Sequence, residues 1–539
     1  MAEAIKNLIL DNVLKIKTRD QLEDIKRRFC KEFKLSSISN SEVLKEYRLL
    51  VAAGLLTRSE SFEMLLRKRS VRTMSGIAPV AVLTKSYPCP GTCAYCPHQK
   101  DVPVSYLANE PAVMRAIRCQ YDPYKQVALR LKALENNGHE PEKIEIIVIG
   151  GTWSYLPKRY KYWYIANCFR AANDYSKLRL KKLASLKEES SFNANLKAYY
   201  KQNLSLTRLH EILLLEQKKN EKARYKIIGL TLETRPDYIN EAELIEMREL
   251  GCTRVEIGVQ AADDAILKLN KRGHGVKEIV EATKLLKQYG FKITYHLMPA
   301  LPGATPKKDL ELFKKLFSDE SFQPDQIKFY PTVVTKGSLL YRWYKQGKYK
   351  PYSDKVLQAL IVKCKEAVPE YVRIIRLIRD IPGESIIAGN KITNLRQVMK
   401  DRGVKCRCIR CREVKDGKII APKINIMEYA SSGGKEYFIS ADSENKETLY
   451  GFCRLRINKN SKVASAIIRE LHVYGELVSV GGEKRIQHSG LGRKLLAEAE
   501  KIVKANNLAN ISIISGVGVR GYYKKFGYRL KNTYMVKTI

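Results

Sequence analysis

The sequence predicts an α/β protein built as a partial (β/α)6 TIM-like barrel and a smaller C-terminal mixed α/β domain, with a helical segment ahead of both. Three observations predict it. From Pro79 onward, short apolar runs of buried-strand type alternate with helical stretches, the pattern of parallel βα units. A loop with three closely spaced cysteines follows the first of these strands. Beyond about residue 422 the chain becomes strand-rich, and a glycine loop there opens one long helix. The boundaries read 1–75 for a basic helical segment, 76–380 for the barrel with an insertion at 155–226, 381–421 for a linker and 422–539 for the C-terminal domain. At 539 residues the chain exceeds what a single core organises.

Lys and Arg number 97 against 57 Asp and Glu, a net charge of +40. Charge of that size and sign points to a polyanionic partner, nucleic acid before others. No run of about 20 apolar residues is present, so no membrane partner is expected. Met1 to Asp11 lack the order of a signal peptide. Twelve cysteines, clustered rather than spread as a disulfide framework, fit a reducing cytoplasm and metal ligation. Oligomeric state is left open, a homodimer among the arrangements.

Taken in order, Ile5, Leu8, Ile9 and Val13 recur at helical spacing, and Ser39-Asn-Ser-Glu42 is a capping box opening the next helix. Arg67-Lys-Arg69 and Arg72 end this segment, which suits either a solvated face or an RNA contact. The barrel strands are expected at Val80–Leu83, Ile144–Ile149, Ile227–Leu232, Arg254–Val259, Lys292–Leu297 and Gln326–Tyr330. Catalysis in such a barrel sits at the carboxyl ends of the strands. Gly150-Gly151, Glu233-Thr-Arg235 and His296-Leu-Met-Pro fall at three of those ends. The insertion holds sixteen Lys or Arg against six Asp or Glu between residues 156 and 225. Tyr160, Tyr162, Trp163 and Tyr164 lie among these charges, either to stack on unpaired bases or to pack a helix.

The cysteine loop reads Cys89-Pro-Gly-Thr-Cys93-Ala-Tyr-Cys96. Three thiolates at this spacing can hold a [4Fe–4S] cluster with one iron left open, which the amino and carboxylate groups of S-adenosylmethionine (SAM) can chelate. A zinc knuckle would use paired Cys-x-x-Cys hooks, and no second hook lies nearby. With aromatic Tyr95 before the last cysteine, the stretch resembles the radical-SAM signature. Gly150 and Gly151 would let backbone approach the methionine of SAM; Glu233 offers a carboxylate for a ribose hydroxyl and Arg235 a cation for a carboxylate. A second group, Cys406, Cys408 and Cys411, suits a structural zinc with one further ligand, for which His98 and Cys119 are candidates.

In the C-terminal part, strands are expected at Glu436–Ser440, Thr448–Arg456, Ala464–Val473 and Ile511–Ser515. Gln487-His-Ser-Gly490-Leu-Gly492, opening the helix Arg493–Asn506, resembles the pyrophosphate loop of GNAT-like, acetyl-CoA-dependent N-acetyltransferases. Glu470-Leu471-His472-Val473 lies where their pantetheine-pairing strand should be, and Tyr523 resembles the tyrosine near the thioester sulfur. A radical-SAM barrel fused to such a domain, with Arg469–Gly475 and the Cys406–Cys411 linker, closely resembles the Elongator catalytic-subunit family. The resemblance implies carboxymethylation at C5 of the wobble uridine of tRNA: a 5′-deoxyadenosyl radical abstracts hydrogen from the acetyl group of acetyl-CoA, and the carbon radical adds to uridine. It implies Lys143, Glu470–Val473, Leu491, Gly492, Arg493 and Tyr523 as acetyl-CoA contacts, with Glu470, His472 and Tyr523 as candidate catalytic groups. It also implies an electron donor for the cluster. The compact spacing between Cys89 and Cys93, where eukaryotic members carry an insertion, points to a prokaryotic and archaeal type. The competing reading is a protein lysine acetyltransferase with the barrel as scaffold; intact cysteines and a +40 charge argue for RNA instead.

Overall fold

The computed structural model describes residues 2–67, 76–180, 204–392, 394–414, 422–475 and 490–539. Four helices, Ala2–Asn12, Arg19–Glu32, Asn40–Ala52 and Glu60–Leu66, form the N-terminal segment. The expected box is present: Ser39 accepts from the Glu42 amide while Glu42 accepts from the Ser39 amide. These helices bury their own core around Ile9, Val43, Tyr47 and Phe62. The module rests on the barrel through Arg58 to Glu140 at 2.6 Å and Arg67 Nε to the Gly138 carbonyl at 3.0 Å. Lys68, Arg69 and Arg72 lie outside the described residues.

The barrel strands are β1 Ala78–Leu83, β2 Lys143–Ile149, β3 Lys226–Thr234, β4 Arg254–Gln260, β5 Lys292–Leu297 and β6 Gln326–Phe329. β7 Val334–Thr335 and β9 Ile386–Ala388 pair with each other, while β8 Arg373–Arg376 adds a seventh parallel strand beyond β6. All six expected strands are found, within three residues at their ends. The seventh, Arg-Ile-Ile-Arg, is too short and too basic to read as a buried strand.

The insertion helix Lys158–Leu180 packs with Leu206–Asn220 against the barrel. Tyr160, Tyr162, Trp163 and Tyr164 are all buried there, which overturns the base-stacking alternative. Even Lys161 is inside, bonded to Glu243 at 3.1 Å and Glu246 at 2.8 Å. Helical spacing turns this aromatic cluster inward, because the helix must cover the apolar outer face of β1 to β3.

The C-terminal sheet holds β10 Lys423–Ser431, β11 Gly434–Asp442, β12 Leu449–Ile457, β13 Ala466–Val473, β14 Asn510–Ile513, β15 Arg529–Lys531 and β16 Tyr534–Thr538. Their order is β10-β11-β12-β13-β14-β16-β15, and only β13 and β14 run parallel. β10, β15 and β16 lie outside the strands expected from sequence. Each is wholly or partly exposed, so no buried apolar run marks it.

This sheet docks on the amino ends of the barrel strands, opposite the cysteine loop. Gly516 has no room for a side chain, since a Cβ would stand 1.9 Å from the Ile228 carbonyl oxygen at the start of β3. Arg469 donates to Asp325 Oδ2 at 2.8 Å, to the Phe291 carbonyl at 2.8 Å and to Glu436 at 3.0 Å. Arg456 joins Glu436 at 3.1 Å, and Lys287 stands 3.4 Å from the same carboxylate. All five side chains are essentially solvent-free. Burial opposes the charge on Asp325, but Arg469, Lys287 and Arg454 outweigh it and hold the carboxyl well below its usual range. Burial, with help from Arg469, pushes the Lys287 amine down to about 8.

Removing one member strands the others, which costs about 3–5 kcal/mol in a buried ion pair. Arg469→Met is therefore expected to lose stability of that order in denaturant unfolding. Arg469→Met with Asp325→Leu is expected to recover part of the loss, giving a coupling energy in the double-mutant cycle.

Candidate active site

The cysteine loop lies at the carboxyl end of β1, between β1 and the helix Pro111–Arg118. Cys93 is buried and takes hydrogen bonds from the Cys96 thiol and from Arg272 Nη1 at 3.3 Å, with Arg235 Nη1 at 4.0 Å. The Cys96 thiol is the largest influence on it, and with the two guanidiniums it brings the Cys93 thiol down to about 4 against the penalty of burial. The loop thus seats a thiolate beside two fixed cations. Cys89 sits apart, its Sγ 3.9 Å from Thr152 Oγ1. Cys93 and Cys96 touch through that hydrogen bond, and the three thiols do not all lie within single-ion distance of one another, unlike the second cysteine group.

Gly91 is forced by this arrangement. A Cβ there would meet Arg235 Nη1 at 2.3 Å. Arg235 is itself held by Asp237 at 2.9 and 3.0 Å and by the Arg272 carbonyl at 2.8 Å. Tyr95 is buried beside the loop, in one apolar cluster with Cys93 and Leu301. Gly150, at φ +133°, passes Thr84 so closely that a Cβ would stand 2.2 Å from Oγ1; Gly151 follows at φ +103°. Glu233, at the end of β3, accepts from the Tyr106 hydroxyl at 3.0 Å.

Sequence reasoning missed Arg272, which lies in a turn after the helix Asp264–Leu269 rather than at a strand end. It also missed the charged inner face of the barrel. Arg254 on β4 donates to Thr231 at 2.8 Å and Gln326 at 3.0 Å and pairs with Glu145 at 3.2 Å. Glu256, two residues on, bonds His296 at 2.9 Å and pairs with Lys328. The signal was present: charged residues at alternate positions of otherwise apolar strands.

Cys406, Cys408 and Cys411 converge with all three Sγ atoms within 4.8 Å. Cys408 accepts from the other two thiols, which carries its own thiol well below the ordinary value. Among the described residues no fourth His, Cys, Asp or Glu joins them, so neither His98 nor Cys119 completes the set.

In the C-terminal domain β13 and β14 pair only at Ile467 and Ile468, then part. A bulge at Arg469, between the Arg454–Glu470 and Leu455–Ile468 pairs, turns the strand. Residues 470–473 keep their pairing with β12 and turn an open edge toward the gap. Gly490, at φ +79°, precedes the helix Leu491–Ala505, where Leu491 is buried and Arg493 exposed. A Cβ on Gly492 would meet the Tyr522 hydroxyl at 2.6 Å. Gln487 lies outside the described residues. Tyr523 is buried near Cys453 and Glu470, and its hydroxyl is raised, by burial above all. His472 joins Phe452 and Tyr474 in a three-ring cluster, parallel to the first at 6.0 Å and tilted on the second at 4.3 Å. Leu471 and Val473 pack against the core. Glu470 bonds Arg454 at 2.9 Å and Lys292, the first residue of β5, at 3.3 Å. Burial opposes its charge, yet Lys292, Arg454 and His472 bring it down to about 2, so this carboxylate is an anchor and a poor base. Lys143 begins β2 at the same end of the barrel, its amine lowered by burial.

Residues 84–316 match the Radical SAM superfamily, 324–403 the Radical_SAM C-terminal domain and 413–528 the Acetyltransferase (GNAT) family. The chain is thus of the radical-SAM class with a fused GNAT domain. It is 42% identical over 489 residues to a tRNA uridine(34) acetyltransferase of Dehalococcoides mccartyi, covering 87% of this chain and 99% of that protein. A Methanocaldococcus infernus protein of the same name is 37% identical across the whole of both chains. Elongator complex protein 3 of Homo sapiens is 36% identical, over 88% of this chain and 86% of that one. The solved archaeal Methanocaldococcus infernus Elp3 with its N-terminus deleted superposes at a TM-score of 0.69 and 35% identity, covering 86% of this chain and 99% of that structure. The chain belongs to this family, that of the tRNA uridine(34) acetyltransferases and Elongator complex protein 3.

The depressed Glu470 carboxyl makes a pH prediction. A carboxyl lowered from 4.5 to about 2 on folding contributes stability that is complete above 4.5 and lost as pH falls toward 2. Glu470→Gln is therefore expected to flatten that part of the acid-unfolding curve while leaving its alkaline side unchanged, as read by circular dichroism.

Proposed function

We propose that this chain modifies the wobble uridine of tRNA, using SAM-derived radical chemistry and acetyl-CoA to place a carboxymethyl group at C5. One observation carries the reading beyond family membership. The barrel mouth keeps a built thiolate seat, with Cys93 between Arg272 and Arg235, while the parted β13 edge lies under the same barrel. A scaffold barrel would have no need of buried guanidiniums aimed at a thiol.

Cys89, Cys93 and Cys96 would hold the [4Fe–4S] cluster, and Gly150, Gly151, Glu233, Arg235 and Tyr95 would surround SAM. When bound, that pair supplies a carbon radical able to take hydrogen from the acetyl methyl. The chain's own residues do the rest. The open edge of Glu470–Val473 can pair with the pantetheine amides, and the Gly490–Arg493 turn at a helix start can receive the pyrophosphate. Tyr523 would hold the thioester, and Lys143, the first residue of β2, would meet the coenzyme at the barrel base. Cys406, Cys408 and Cys411 fit zinc, with the fourth position open to a ligand outside the described residues or to water. The net charge of +40 suits tRNA. No helix among the described residues is long and apolar enough to cross a membrane, which is compatible with the cytoplasmic site expected of a tRNA enzyme. The lysine acetyltransferase reading is weakened by the two cations, Lys292 and Arg454, that already hold the Glu470 carboxylate.

Anaerobic reconstitution with SAM, a reductant, acetyl-CoA and bulk tRNA is expected to yield 5-carboxymethyluridine by nucleoside mass spectrometry. Cys93→Ala is expected to abolish reductive SAM cleavage while the fold persists. Release of coenzyme A is expected to be slow alone and to rise at least tenfold with tRNA; equal rates with and without tRNA, or acetylation of a peptide at comparable rate, would sink the reading. Metal analysis is expected to find zinc, and its chelation, like Cys408→Ser, to lower the melting temperature before it lowers turnover.

A further inference from the structure

The inner face of the barrel holds an imidazole whose orientation the proposed function does not yet use. His296 ends β5 at the mouth, with only about a tenth of its side chain exposed. Its Nε2 is 2.9 Å from Glu256 Oε2, and Glu256 is completely buried and paired with Lys328. Burial alone would raise the Glu256 carboxyl, but Lys328, His296 and Arg254 together hold it well below its usual range. An ionised carboxylate only accepts, so Nε2 carries the proton and donates. In the neutral ring this leaves the lone pair on Nδ1, which lies 3.7 Å from Glu233 Oε1; the imidazole centroid is 5.4 Å from that of Tyr330. A carboxylate fixing one imidazole nitrogen so that the other meets substrate is the arrangement of a general base.

We propose that His296 is the base that takes the C5 proton of the target uridine, with Glu256 and Lys328 as its positioning residues; the proposal rests on the tRNA-uridine reading above. Addition of a carbon radical to the C5=C6 bond forms one C–C bond at C5 and leaves the unpaired electron at C6. C5 then carries both the new substituent and its original hydrogen. Restoring the double bond requires loss of that hydrogen as a proton and of one electron. The proton goes to Nδ1, giving an imidazolium still bonded to Glu256. The electron goes to a one-electron acceptor of the iron–sulfur class, the same class that donated the first. His296 is then neutralised by water at the mouth.

The chain has seven histidines, so the ground-state part is readable without cofactors. In 15N spectra of the protein lacking the cluster, one imidazole in the Nε2–H tautomer is expected to vanish in His296→Asn and to change tautomer in Glu256→Gln. In the reconstituted enzyme, both variants are expected to keep SAM cleavage within about threefold of wild type. Both are expected to lower carboxymethyluridine formation about 100-fold or more, the scale of a lost general base. The ratio of 5′-deoxyadenosine to product should rise accordingly, and added imidazole should restore part of the activity of His296→Ala. Loss of SAM cleavage in the variants would make His296 a SAM contact and overturn the proposal. So would variants that retain product formation, an unchanged 15N spectrum, or failure of imidazole to rescue. A wild-type enzyme that forms no carboxymethyluridine would instead sink the tRNA-uridine reading, and this proposal with it.

Discussion

The contact between Arg469 and Asp325 fixes how the C-terminal sheet sits on the barrel. Asp325 precedes β6 at the amino end of the barrel, and Arg469 is the bulged residue of β13. One guanidinium thus joins the base of the barrel to the strand that, on our reading, receives the coenzyme. Burial makes the contact stringent. Each charge has left water and is repaid only by its partners, so the two domains cannot slide without leaving a charge exposed to a low-dielectric interior. The bulge does two things at once: it sends Arg469 into the interface, and it marks where β13 and β14 part. Docking and the open strand edge have the same cause.

The second constraint is the inside of the barrel. Barrels of this kind fill their interior with branched aliphatic side chains. Here the inward positions of β2 to β6 carry Glu145, Thr231, Arg254, Glu256, Thr294, His296, Gln326 and Lys328, bonded across neighbouring strands. The polar line runs from the mouth, where His296 faces Glu233, to the base, where Lys292 meets Glu470. The two proposed sites therefore lie at opposite ends of one polar interior, so the acetyl end of the coenzyme must be carried to the mouth before a radical there can take its hydrogen. Arg254 cannot give up its proton, so the line is suited to fixing charge and orientation rather than to passing protons along its length.

At the mouth, the cysteine loop is shaped by cations that come from elsewhere in the chain. Arg235 follows β3 and Arg272 follows the helix after β4, yet both reach Cys93. Gly91 leaves room for the first of them to pass. The loop's own prolines and glycine open it, but the electrostatic seat is tertiary.

Much of this architecture is legible in local signals along the chain. Six barrel strands show as apolar runs because both faces of a parallel sheet are covered. Three cysteines in one loop and three in another, and the glycine turn ahead of a long helix, are short-range patterns visible in the sequence itself. What the sequence left undecided depends on partners distant along the chain. Tyr160, Tyr162, Trp163 and Tyr164 could have faced RNA; the apolar surface they must cover turned them inward. The place of Glu470 in the chain does not show that Lys292 and Arg454, 178 and 16 residues away, hold its carboxylate. The edge strands β10, β15 and β16 carry no buried run to announce them. In the sequence His296 is one histidine in a strand-end motif. Only the fold, by bringing Glu256 with its partner Lys328 to Nε2, decided which nitrogen is held by a buried carboxylate and which one faces Glu233.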